Sequence, residues 1–167
     1  MTKHLLLAAL LFASACASRL DMLTDTERDH YAALKVWMDD DQEKAFFKLK
    51  TEDERNAFLK SLGIWDRFYG YSERERGDIL GGRVAVGWTK DKVYMAWGAP
   101  HEKQRLTGRR ATRSELFTYR FEVAEDGRVL VWEPNSKVTY KAQDKYQIEV
   151  YLDDDRVTEM VRKDGWE

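Results

Sequence analysis

Side chains able to do nucleophilic or acid–base chemistry are few and scattered in this chain. Three histidines (His4, His30 and His101) and one cysteine (Cys16) are its whole complement of imidazole and thiol groups. An enzyme of the acyl- or phosphoryl-transfer kind needs a nucleophile or base, an orienting group and a charge stabiliser converging on one point. No Gly-x-Ser-x-Gly elbow, His-Glu-x-x-His pair or phosphate-cradling glycine loop is present. His101 follows Pro100, where an imidazole without a fixed partner is simply solvated. The densest carboxylate runs, Asp39–Asp41 and Asp153–Asp155, lack the spaced Asp-x-Asp-x-Asp-Gly pattern that wraps calcium. The expectation is a non-enzymatic chain with no cofactor and no metal.

Cys16 has a different context. Lys3 and His4 precede an unbroken apolar run, Leu5 to Phe12, and then Ala13, Ser14 and Ala15 lead into the cysteine. A basic start, a short apolar stretch and small residues form the pattern of a secretory leader. The run is far short of the roughly 20 residues that span a bilayer. Ala-Ser-Ala-Cys after a leucine-rich run resembles the lipobox of bacterial lipoproteins, with Ala13 in place of the commoner Leu. That resemblance implies cleavage after residue 15 and a diacylglyceryl group on the Cys16 thiol. A lone cysteine has no internal disulfide partner, and lipidation accounts for both its number and its place. Ala17 and Ser18 follow it, neither being the Asp of inner-membrane retention, so the expected address is the outer membrane, facing the periplasm.

The rest of the chain bounds the fold. Removing residues 1–15 from 167 leaves 152, enough for one domain with a real core. The 28 basic and 30 acidic residues give a net charge of −2, unsuited to a nucleic-acid binder. Aromatics at 13% with six tryptophans argue for a packed interior rather than disorder.

Residues 16–23 read as a lipidated tether. Three capping-box patterns, Thr24 to Glu27, Thr51 to Glu54 and Ser72 to Glu75, mark helix starts. Tyr31, Leu34 and Met38 share one helical face, a short helix is expected over about 42–50, and Phe58, Leu62, Trp65 and Tyr69 share another face. Strand alternation takes over after residue 100: Phe117, Tyr119, Phe121 and Val123, then Val129 to Trp132, then Tyr146, Ile148, Val150 and Leu152, with Arg156 to Arg162 last. Helices first and antiparallel strands afterwards predict an α+β domain, its N-terminal helices packed on a small antiparallel sheet of three to four strands.

Residues 87–100 join the two halves. Thr89 is a helix N-cap with Asp91 in the first turn, Val93 and Trp97 lie at i, i+4, Gly98 suits a left-handed C-cap, and Pro100 forbids continuation. Gly87 frees the backbone ahead of the cap. This Gly87, Thr89, Val93, Gly98, Pro100 pattern resembles the SmpA/OmlA (BamE-like) outer-membrane lipoprotein family, with Trp88 where that family carries Met. The resemblance implies a domain of two helices, about 72–81 and 89–97, on a three-stranded antiparallel sheet, and a role beside the outer-membrane protein assembly machinery. It covers 71–167 and leaves 24–70 as a helical N-terminal extension, packed with it as one domain. Thr51, Glu54, Arg55 and Phe58, with Tyr94, Gly98 and Pro100, are also similar to GWxTD domains.

A periplasmic domain without catalytic groups is expected to bind another envelope protein, while being held to the membrane by its lipid. The alternative is a ligand-binding or envelope-sensing module. A deep pocket with convergent polar groups would favour the alternative; a shallow aromatic patch would favour protein binding. The candidate partner-binding residues are Trp88, between a glycine and an N-cap, a place where a side chain either points outward to a partner or folds back as a hydrophobic staple, and Arg109 and Arg110 in the basic run from Lys103 to Arg113, read as a solvated loop.

Overall fold

The computed structural model describes residues 19–134 and 141–166. Cys16, the expected leader and the first part of the expected tether lie outside them. A 3-10 turn, Arg19–Met22, leads into six helices: α1 (Asp25–Leu34), α2 (Asp40–Lys48), α3 (Glu52–Ser61), α4 (Trp65–Tyr69), α5 (Glu73–Leu80) and α6 (Lys90–Trp97). Five strands follow, β1 (Glu102–Leu106), β2 (Ser114–Ala124), β3 (Val129–Val131), β4 (Ala142–Asp153) and β5 (Arg156–Asp164). The architecture is α+β.

Each main helix begins where a side chain can satisfy its free N–H groups. Thr24, Thr51 and Ser72 form full capping boxes with Glu27, Glu54 and Glu75, and Asp39 forms a fourth with Gln42. That fourth box explains a departure from the sequence pattern. α1 ends at Leu34, a 3-10 turn covers Lys35–Trp37, and Met38 is extended so that Asp39 can cap α2, which starts at Asp40 rather than 42. The face from Phe58 to Tyr69 is likewise split: Gly63, at φ +69°, turns the chain between α3 and α4. The tether is also shorter than its sequence suggests, because Leu23 is already buried among the helices.

The sheet is antiparallel in the order β1-β2-β4-β5, with β3 pairing the far end of β2 beyond β1. Five strands stand where three to four were expected. The additional one is β1, from Glu102 to Leu106, inside the basic run taken for a loop. Its first four side chains are exposed, so it has no apolar alternation to read, and charges on such an edge also discourage pairing with other chains. β4 turns into β5 through Asp154 and Asp155, both at positive φ, the geometry of a tight two-residue hairpin.

Two clusters of buried side chains result. One lies among the helices, with Leu34, Phe46, Leu59, Phe68 and Ile79 at its centre. The other lies between α6 and the inner face of the sheet, around Val93, Phe117, Tyr119, Val150 and Leu152. α6 serves both, sending Met95 into the first and Val93 and Trp97 into the second.

Candidate partner-binding surfaces

The residues at 87–100 form the joint between the two clusters. The Thr89 hydroxyl caps α6 by accepting from the Lys92 N–H, lies 3.1 Å from the Tyr71 hydroxyl, and its backbone bridges to Arg156 of β5. Gly87 and Trp88 exchange backbone hydrogen bonds with Val157, at 2.8 Å each. Asp91 pairs with Arg67 of α4 at 2.7 Å. Gly98 corrects the cap geometry expected of it. At φ +74° and ψ −158° it lies outside the left-handed helical well, in a region open essentially to glycine alone. That twist turns its carbonyl to accept from the Tyr119 hydroxyl at 3.0 Å, fastening the helix exit to the sheet, and Pro100 follows directly.

Trp88 does not stand outward. It is half-buried, packs against both clusters, and has the Lys92 ammonium over its ring at 5.6 Å. An indole touching two cores is a wedge between them and a poor candidate for a partner anchor. Arg109 is also committed: its Nε and Nη2 reach both Asp153 oxygens at 3.0 and 2.9 Å. Arg113 pairs with Glu115, which also takes the Lys90 ammonium at 2.5 Å. Burial raises the Glu115 carboxyl, but Lys90 and Arg113 outweigh it and hold it below its ordinary range. In the aspartate turn, Asp153 is taken by Arg109 and Asp155 by Lys90 at 3.3 Å, while Asp154 accepts from the Arg113 backbone N–H at 3.0 Å. Arg109 and Arg110 are both exposed, so of the sequence-selected partner residues these two remain at the surface, Arg109 held there by Asp153.

His30 and His101, the two histidines among the described residues, stand in different surroundings. His101 is exposed and stands edge-on to Trp132 at 5.2 Å. His30, read from sequence only as a residue without partners for chemistry, is 2% exposed. Its Nε2 is 2.5 Å from the Tyr69 hydroxyl, and Trp65 and Phe68 surround the ring. Burial pushes its pKa below the ordinary value, against an upward pull from Asn56 and nearby carboxylates. Beside it, Arg55 and Glu27 form a buried ion pair between α3 and α1. Burial raises the Glu27 carboxyl, and the Thr24 backbone N–H with the Arg55 guanidinium more than reverses this. Arg55 also donates to the Leu49 carbonyl at 2.6 Å. This polar joint was not anticipated; its only signal was Arg55 within the Thr51, Glu54, Arg55, Phe58 pattern. No group of three or more potential metal ligands occurs among the described residues.

Sequence reasoning also missed a cleft of about 450 Å³ where the end of α5 and the end of α6 meet the sheet. Trp97 forms one wall, its indole N–H donating to the Gly82 carbonyl at 3.0 Å. Phe121, Tyr146 and Ile148 come from the sheet, Val129 and Val131 from β3, and Leu80 from α5. Leu80 is 40% exposed and Val129 53%. Among the described residues Tyr146 is the only titratable side chain in the lining. The signal in the sequence was an apolar Leu80 placed directly before Gly81-Gly82. On the outer face of the sheet, Arg120 lies between Trp132 and Trp166, its guanidinium 5.7 and 4.9 Å from the rings.

The chain matches no family model, no curated protein and no solved structure. No helix among the described residues is long and apolar enough to cross a membrane.

Proposed function

We propose that this chain is an envelope lipoprotein, held at the outer membrane through Cys16, whose periplasmic domain binds another envelope protein as an assembly accessory of the BamE-like kind. The observation that carries the binding role is the character of the cleft. The side chains that line it are mostly apolar, with Leu80 and Val129 exposed and Tyr146 the one titratable group among the described residues, while its polar surface comes largely from the backbone around Gly81 and Gly82. Small-ligand sites of similar volume orient their ligand with several placed polar groups. Here the most prominent donor, the Trp97 indole N–H, is already spent on Gly82. Such a surface suits apolar side chains of a protein partner better than a polar small molecule, and it offers no acid–base pair for catalysis.

The anchor rests on the leader and lipobox pattern of residues 3–16. The binding role is tested by a photoreactive side chain at Val129 in intact envelopes. A crosslink to one envelope protein, lost on Leu80→Asp, is the expected result. Recovery of a bound small molecule in place of any crosslinked protein would transfer the cleft to the ligand-binding reading.

A further inference from the structure

Resting on the lipid anchor at Cys16, we propose that the N-terminal corner of the domain, the Arg19–Met22 turn with the exposed face of α2, docks on phospholipid headgroups. The reach of the chain is the first reason. Arg19 is three residues beyond Cys16, so their Cα atoms are at most roughly 11 Å apart even when fully extended. A headgroup layer is roughly 5–8 Å thick. With the acyl chains of Cys16 in the bilayer, whatever surrounds Arg19 meets the headgroups.

The second reason is what surrounds it. Leu20 and Met22 are 42% and 59% exposed, two of the few large apolar side chains on the surface. Beside them a shallow groove of about 290 Å³ is lined by Arg19, Met22, Lys44, Phe47 and Lys48. Lys44 and Lys48 stand at i, i+4 on one face of α2, with Phe47 between them, and the Arg19 guanidinium lies 5.8 Å from the Phe47 ring. Three cations, two apolar side chains and no carboxylate form the lining. Asp41 pairs with Lys44 at 3.0 Å outside it, and Asp21 lies on the adjoining turn. The chain as a whole is net −2, so the basic groove is a local feature. Apolar side chains at the interface with Lys and Arg reaching to phosphate is the geometry of an interfacial contact. It gives the anchored domain one orientation, with α2 toward the bilayer.

The test uses the full acylated chain with palmitate incorporation measured on the same preparation. Amide hydrogen exchange is read on vesicles of phosphatidylcholine with phosphatidylglycerol and compared with neutral detergent. Residues 19–23 and 43–48 should exchange about fivefold more slowly or better on the vesicles, the factor that one cation near an anionic surface contributes. Leu20→Glu with Met22→Glu should remove that protection without lowering the melting temperature. If palmitate is incorporated and these residues are unprotected, or the variant stays protected, the docking surface is wrong and the anchor stands. Protection seen only in native envelopes would also overturn it, in favour of a protein contact. If no palmitate is incorporated, the anchor fails and this inference falls with it.

Discussion

The helical core and the sheet core solve the same packing problem with different materials. Among the helices, Glu27, His30 and Arg55 are buried alongside Leu34, Phe46 and Leu59. Against the sheet, the buried cluster is Val93, Trp97, Phe117, Tyr119, Phe121, Tyr146, Val150, Leu152 and Val157, while the buried polar residues of the strands, Ser114 and Glu149, lie outside that cluster and pair with Asp153 and Lys163. The difference follows from the elements. β2 and β4 fix one another over a long ladder from Ser114 to Ala124, so apolar side chains are placed without further instruction. Helices of five to ten residues have many ends and few turns, and apolar packing alone leaves their mutual placement loose. A buried ion pair that also takes up a backbone carbonyl selects one arrangement of α1 against α3, at a cost in desolvation.

The largest expected effect breaks that contrast directly. Arg55→Met leaves Glu27 buried without its partner and should cost about 3–5 kcal/mol, measured by urea unfolding. Adding Glu27→Gln to Arg55→Met should recover much of the loss. If Arg55→Met alone is neutral, the helical core needs no polar joint and the contrast is false. Next is Gly98→Val, expected to cost about 1–3 kcal/mol because a β-branched residue cannot hold that backbone region. An unchanged melting temperature would show that the helix exit does not need this twist. Trp88→Ala should cost about 1–2 kcal/mol, part of the penalty for a fully buried Trp, and should loosen both cores together. Hydrogen exchange rising in only one of them would remove Trp88 from the joint.

The smallest effect is in pH. His30 has a pKa held below its ordinary 6.5 by burial. The folded state therefore favours the neutral ring, and the stability it contributes is complete above about pH 6.5 and falls as pH drops below it. Glu75 acts in a lower window, its carboxyl held at about 2 by Lys92 and Ser72, so its contribution is complete above the ordinary 4.5 and falls progressively as pH drops toward about 2. Thermal melts between pH 7 and pH 5 should show a slope for the native chain that His30→Gln flattens. Equal slopes would mean that the ring is solvated rather than packed.

The legible part of the fold was the part written in local rules. Capping boxes at Thr24, Thr51 and Ser72, and the alternation around Phe117 and Val150, specify their elements without reference to anything distant. β1 was invisible because Glu102 to Arg105 form a strand through backbone pairing with β2 and bury nothing. The packing of Trp88 and the ion pair of Arg109 were missed for a related reason. Their surroundings are supplied by Val157 and Asp153, more than 40 residues away, and no local pattern shows whether a loop side chain finds such a partner. The cleft was missed because it is assembled from α5, α6, β2, β3 and β4 at once, each giving only one or two side chains. The buried pair of Glu27 and Arg55 was hidden by composition, since both residue types ordinarily mark solvated helix faces.

Two double variants tested side by side distinguish binding from chemistry most directly. Leu80→Asp with Val129→Asp places charge in the cleft, and His30→Gln with His101→Gln removes both histidines of the described residues. Co-purification of the partner from solubilised envelopes, scored only for protein that melts as a folded domain, is the readout. The cleft variant should lose the partner while the histidine variant retains partner and cellular activity. A histidine variant that folds, holds its partner and is inactive, beside a cleft variant that is unaffected, would contradict the reading of this chain as a binding protein.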